Sequence, residues 1–226
     1  MAHPPARVFW SGMAAAVDPI SACSVPDAPT LVLASASPRR RELLSQAGFA
    51  FRIQAAEIPE DLHPGEDPIA YVTRLAQEKA AAVHARLAAE HASLVVLGAD
   101  TTVVVDGRIL GKPESAEDAA QMLRLLSGRT HQVITGVAAV TATQTLAAAE
   151  VTAVQFFSLS DAEIADYVAS GEPMDKAGAY AIQGRAARWI PRIHGCYFNV
   201  VGLPLALVAN LLAGLLLPCC PATLSE

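Results

Sequence analysis

The sequence predicts an α/β chain bordering on α+β, with a mixed, twisted sheet packed by helices into two lobes around a cleft where strand ends meet. Three observations carry that prediction. Apolar strand-like runs, such as residues 31–34 and 94–99, are interleaved with stretches of helical spacing. Two β-rich runs, residues 132–141 and 146–157, are joined only by polar residues that read as a turn, so they pair. Ala-rich stretches such as residues 80–89 suit helices that pack closely.

The first strand, residues 31–34, runs into Ser35-Ala36-Ser37-Pro38-Arg39-Arg40. Ser37 suits an N-cap and Pro38 the first helical position, where its missing N–H costs nothing, and Gly48 reads as the stop. Backbone N–H groups, a positive dipole end and guanidinium forks meet at such a junction, which makes it a site for a polyphosphate. The alternative is an ordinary capped helix with solvated arginines. Residues 49–55 alternate like a strand, and residues 57–66 form a polar loop whose Glu60, Asp61 and Glu66 would ordinarily be solvated.

Asp67-Pro68 opens a long helix on which Tyr71, Leu75, Lys79, Ala82, Val83 and Leu87 fall near helical spacing. Lys79 therefore lies close to the apolar face and needs a partner. Residues 94–99 read as a buried strand that delivers Asp100 and Thr101 at its end, and residues 102–110 continue as strand and an Asp106-Gly107 turn. A carboxylate ending an apolar strand needs a metal, a cation or backbone donors, the setting of a catalytic acid, or else it caps the following turn. Gly107 to Pro113 departs from a Walker loop, having one residue too few between its glycines and Pro in place of the metal-binding hydroxyl. Lys112 either reaches a phosphate from that turn or is an exposed hairpin lysine.

Ser115 and Asp118 form a capping-box-like start for a helix to Leu126, closed by Gly128, and Ser160 with Glu163 caps another that ends at Gly171. Residues 172–183 read as loop and short helix, with Glu172, Asp175 and Lys176 as a surface ion pair. Gln183 carries a donor and an acceptor, which matches the O4 and N3–H edge of uracil or thymine, although an isolated Gln is usually just exposed.

Of the 226 residues 53% are apolar, enough for a substantial core. A net charge of −6 excludes a general nucleic-acid binder, and the local clusters Arg39–Arg41 and Arg185, Arg188, Arg192 point instead to a small anionic ligand. Cys23, Cys196, Cys219 and Cys220 show no metal-ligand or disulfide spacing, so a reducing compartment is expected. No charged residue of the Asp, Glu, Lys or Arg type occurs in residues 193–225. The part able to be helical there, residues 204–217, is shorter than the ~20 residues a bilayer needs, so a buried terminal helix and no membrane association is the reading. Residues 1–30 read as a loose extension, with only a faint likeness to a signal peptide, and residues 218–226 as a tail.

SASPRR with RELL, LAQEKA, LGADT, GKP, THQVITGV and EPMDKAGAYAIQG followed by NVVGLP, together and in this order, resemble the Maf family of nucleoside triphosphate pyrophosphatases, over one domain spanning residues 31–217. The DKAGAY-x-IQG pattern with Arg39, Thr101 and Gln183 resembles the family branch acting on dTTP and UTP. The resemblance implies hydrolysis between the α and β phosphates, giving the monophosphate and pyrophosphate with a divalent cation, Mg²⁺ or Mn²⁺, in a cytoplasmic house-cleaning role. It implies Asp100 as the proton acceptor, Arg39, Thr101 and Gln183 as the positions that set base preference, and Ser35, Arg40, Lys79 and Lys112 around the triphosphate. It further implies Glu60 and Asp100 as metal ligands, a nucleoside triphosphate as the partner, and a homodimer. The family's association with arrest of cell division gives a second reading, a nucleotide-sensing regulator. Ala181 stands where the branch usually has Gly, with a small effect expected on the backbone there.

Overall fold

The computed structural model describes residues 29–89 and 93–216. Seven strands and six α-helices occur among them, in the order β1 (Thr30–Leu33), α1 (Pro38–Gln46), β2 (Arg52–Ile53), α2 (Pro68–Leu87), β3 (Leu94–Val105), β4 (Arg108–Leu110) and α3 (Ala116–Leu126). Then follow β5 (Thr130–Val140), β6 (Thr145–Gln155), α4 (Asp161–Ala169), three short 3₁₀ turns, β7 (Arg192–His194), α5 (Tyr197–Val201) and α6 (Leu205–Leu216). The expected extension, apart from Pro29 and Thr30, and the whole of the expected tail, with Cys23, Cys219 and Cys220, lie outside the described residues.

Local chemistry accounts for the element boundaries. Ser37 accepts from the Arg40 N–H ahead of Pro38, and Asp67 accepts from the N–H groups of Ile69 and Ala70 ahead of Pro68. The Ser160–Glu163 box is complete. At α3 only half of the expected box forms, because the Asp118 carboxylate accepts from Glu114 N while Ser115 accepts from Asp118 N. The β3–β4 turn uses positive φ at both Asp106 (51°) and Gly107 (73°), the twist that a two-residue hairpin requires.

One sheet runs through both lobes, with strand order β2-β1-β3-β5-β6-β7 and β4 paired to β3. β1 is parallel to β2 and β3, whereas the β3–β5, β5–β6 and β6–β7 pairs are antiparallel. Helix α2 lies on one face at unusually short range. A Cβ on Gly98 would stand 2.1 Å from the Ala76 carbonyl oxygen, and one on Gly136 would stand 2.3 Å from that of Val72. On the other face two separate apolar clusters form. One joins Leu43 and Leu44 of α1 and Val208 and Leu212 of α6 to Leu97 and Ala99 of β3. The other joins α3 and α4 to Val103 and Val105. Thr101 falls between them, so the boundary between the lobes crosses β3 at that level.

Four expectations about elements need correction. Residues 49–55 contribute only the two-residue β2, because β1 offers it two residues of ladder while Phe49 and Phe51 pack on the α1–α6 cluster. Residues 94–105 are one continuous strand, so Asp100 lies inside β3 and not at its end. β7 and α5 were not anticipated, since at three and five residues each is too short to show a period. Helix α6 is buried along one side only, at Val208 and Leu212, with Ala206, Ala209 and Asn210 exposed. Among the described residues no helix is long and apolar enough to cross a membrane.

Candidate active site

The site begins as a gap in a ladder. β1 makes its last pairing at Leu33 opposite Leu97, followed by one bond from Ala34 N to Leu97 O at 2.8 Å, and β4 joins the same edge only at Val103. Between these points that edge of β3 has no strand beside it, although β5 pairs along the other edge, and a carbonyl left unpaired there would be costly. Arg40 fills the gap. Its Nη1 donates to Ala99 O at 2.7 Å and to Ser35 Oγ at 3.4 Å, its Nη2 to Thr101 Oγ1 at 2.9 Å, and its Nε to Gly202 O at 2.8 Å. Four of the five guanidinium donors are thus spent within the protein. Burial lowers the pKa of Arg40, opposed by the nearby Asp100. The side chain expected at the triphosphate therefore works chiefly as a strut, tying β1, β3 and the α5–α6 turn together.

Ser35, also buried, accepts from Ser37 N at 3.2 Å as well as from Arg40, which leaves its own proton to offer the cleft. The Arg39 N–H at the start of α1 has no acceptor among the described residues.

On the α2 face, the close approach at Gly98 and Gly136 brings Lys79 to Asp100. Both are 8% exposed, and Lys79 Nζ stands 2.6 Å from Asp100 Oδ1 and 2.5 Å from Glu60 Oε1. The partner that Lys79 required is thus a pair of carboxylates. Asp100 Oδ2 makes no hydrogen bond among the described residues. The loop bearing Glu60 is not freely solvated: Tyr71 donates to Glu60 O at 2.9 Å, and Arg74 donates to Asp61 O at 3.0 Å and to both Glu66 oxygens. The Arg74 hydrogen bond holds the Glu66 carboxyl down at about 2. Burial pushes Glu60 upward, but the hydrogen bond and charge of Lys79, with Lys112 and Arg40, outweigh it and hold that carboxyl below its ordinary value.

At the other end of the cleft, Arg39 pairs with Asp175 at 3.6 Å. The segment carrying Asp175 and Gln183 is pinned from behind. Tyr167 donates to Glu172 at 3.0 Å, Glu172 accepts from Arg185 N at 3.0 Å, and Ala181 N donates to Tyr167 Oη at 3.2 Å. Glu172 is consequently a buried-side anchor and not half of a surface pair with Lys176, which donates to the Glu172 carbonyl and to Asp175. Gly178 (φ 68°) sits where a Cβ would come within 2.7 Å of Val103 Cγ2, so glycine is required there. Ala181 has no positive φ, and its departure from the branch pattern costs nothing at the backbone.

Each residue expected at the site lines a single cleft of about 460 Å³: Ser35, Arg39 and Arg40 from the β1–α1 turn, Glu60 from its loop, Lys79 from α2, Asp100 and Thr101 from β3, and Lys112 and Gln183 from turns. The second basic cluster is not among the lining residues. Arg185 is paired with Asp166 at 2.5 Å, Arg188 lies over the Trp189 ring, and Arg192 is on the edge strand β7. Four contributors were not foreseen: Asp175, which meets Arg39, and Thr135, Asn199 and Thr152, which lie behind Thr101. The sequence signals Asn199 alone, as an amide within the apolar run 197–201, and the structure buries it fully.

The model for Maf-like proteins matches residues 30–215. The chain belongs to the Maf-like family. A dTTP/UTP pyrophosphatase from Koribacter versatilis is 52% identical over 80% of this chain and 92% of its own length, and one from Symbiobacterium thermophilum is 54% identical over 77% and 88%. Among solved structures, that of the Staphylococcus aureus Ham1 protein aligns at 13% identity with a TM-score of 0.42, over 82% of this chain and 98% of its own, a likeness too loose to say more.

For this Maf-like chain the donor set can be tested against a divalent cation. No cluster of three or more His, Cys, Asp or Glu able to hold a metal occurs among the described residues. Glu60 and Asp100 share Lys79 between them. Two carboxylates with no third protein ligand suit a Mg²⁺-like ion, which takes one or two carboxylates and completes its shell with water and substrate phosphates. The residues therefore fit a metal that arrives with its nucleotide.

Proposed function

We propose that this chain hydrolyses dTTP and UTP to the nucleoside monophosphate and pyrophosphate, in the cytoplasm, removing these nucleotides and modified pyrimidine analogues before polymerases use them. The observation that carries the reading is the pairing of Asp100 with Lys79 in a cleft that also gathers Arg39, Thr101 and Gln183. The relatives' names supply the bond cleaved and the base class.

Asp100 Oδ1 is fixed by Lys79, which leaves Oδ2 to orient a water and take its proton as the water oxygen bonds to the α phosphorus. The bond between the α phosphorus and the α–β bridging oxygen breaks, and pyrophosphate leaves with that oxygen. Lys79 and Lys112 set positive charge in the cleft, where negative charge develops on the leaving group. Ser35 Oγ–H and the Arg39 N–H add neutral donors at the start of α1. Glu60 and Asp100 would hold Mg²⁺ or Mn²⁺, which when bound neutralises phosphate charge. An acidic chain that gathers Arg39, Lys79 and Lys112 in one cleft supports a compact polyanion as ligand and not nucleic acid.

The test is product analysis with Mg²⁺ or Mn²⁺ on dTTP, UTP, CTP, ATP and GTP. Pyrophosphate and monophosphate in equal amounts, fastest from dTTP and UTP, are expected. Release of orthophosphate, or binding with no turnover, would overturn the reading, and the latter outcome favours a nucleotide sensor.

A further inference from the structure

The Thr101 hydroxyl sits in a chain of hydrogen bonds whose proton order is fixed from both ends. At one end Arg40 Nη2, which can only donate, stands 2.9 Å from Thr101 Oγ1. At the other end the Asn199 carbonyl, which can only accept, stands 3.1 Å from Thr135 Oγ1. The two hydroxyls between them are 2.9 Å apart. Thr135 is fully buried and has one proton to give. Given to Thr101, that proton would leave Thr135 Oγ1 and the Asn199 oxygen facing each other with nothing between them. Only one order makes all three contacts favourable: Arg40 donates to Thr101, Thr101 to Thr135, and Thr135 to the Asn199 carbonyl. Asn199 is itself held in place, its Nδ2 donating to Val133 O and Thr152 Oγ1, each at 2.9 Å.

The Thr101 hydroxyl then has no proton left for the cleft and one lone pair unspent. We infer that Thr135, acting through Thr101, is a specificity-positioning residue: it makes that hydroxyl an acceptor toward the substrate, so the cleft favours a ring that donates there. The imide N3–H of uracil or thymine qualifies, whereas cytosine offers a lone pair at N3 and is rejected. This deepens the dTTP/UTP reading and rests on it.

The experiment compares kcat/KM for UTP and CTP in the wild type, Thr135→Val and Thr135→Ser. The wild type prefers UTP. In Thr135→Val the Thr101 proton is released toward the cleft, and the UTP/CTP ratio falls by about tenfold, the scale of one hydrogen bond. Thr135→Ser keeps the relay and the ratio. A purely structural role for Thr135 would lower both substrates together, and an unchanged ratio in Thr135→Val overturns the inference while leaving the function reading in place. The same holds if the sugar hydroxyl is the donor, since UTP and CTP share it. Should Thr135→Val not fold, Thr135→Ala is measured in the same way: an unchanged UTP/CTP ratio overturns the inference, and a fall of about tenfold supports it. A wild type that hydrolyses neither UTP nor dTTP overturns both readings.

Discussion

Arg39 and Arg40 are neighbours in the chain whose guanidinium groups meet different fates: one pairs with exposed Asp175 at the cleft, the other closes a broken ladder inside. Nothing in the sequence separates them, because the gap that claims Arg40 depends on where β1 stops beside β3, a matter of tertiary pairing. Lys79 and Asp100 were legible, since each is an ionisable group on an apolar face and so requires the other or something like it. His131 is a third buried ionisable residue, outside the cleft. Its Nε2 lies 2.8 Å from Tyr180 Oη, its Nδ1 has no partner among the described residues, and burial lowers its pKa to about 4. The unfolded chain therefore takes up a proton below about pH 6.5 that the native state refuses. The contribution of His131 to stability is complete above pH 6.5 and is lost by about 1.4 kcal/mol per pH unit down to about pH 4. Glu66, held at about 2, adds a separate loss only below its ordinary value of 4.5. Urea midpoints measured between pH 7 and 4.7 should show that slope in the wild type and a much shallower one in His131→Gln. Equal slopes would remove His131 from the account.

At the level of elements, capped helices and long strands were readable and short pieces were not. α1, α2 and α4 announce themselves through Ser37-Pro38, Asp67-Pro68 and Ser160–Glu163, all of which cap as expected. β2, β7 and α5 are two to five residues long and exist because a neighbouring strand or turn receives them. The seating of α2 was hidden for a different reason: Gly98 stands opposite Ala138 and Gly136 opposite Asp100, so two glycines far apart in the chain each admit the helix backbone to the same region of the sheet. Gly98→Ala places a methyl against the Ala76 carbonyl and has no flexible side chain to displace. It should destabilise the fold by about 1–3 kcal/mol and lower kcat as Lys79 moves from Asp100. Thermal melts together with turnover check this, and an unchanged kcat in a folded variant would show that the seating of α2 does not set the Lys79–Asp100 contact.

For the whole molecule, the decisive arrangement is that Asp100 and Thr101 are consecutive on one strand and so point to opposite faces. Asp100 meets Lys79 beneath α2, while Thr101 lies between the two apolar clusters on the far side, and both reach one cleft because the strand edge beside them is open. The sequence announced the acid, the cations and an α/β frame around a cleft. That the cleft is a missing length of ladder came only from pairing.

The most direct test of this account is single-turnover hydrolysis of dTTP by Asp100→Asn, with nucleotide affinity measured on the same protein. The variant keeps the shape of the site and leaves Lys79 its contact with Glu60, but it cannot take the proton. Chemistry slowed by about 10²–10⁴-fold is expected, with dTTP affinity within a few-fold of wild type. Chemistry at the wild-type rate would contradict it, because some group other than Asp100 would then be activating the water.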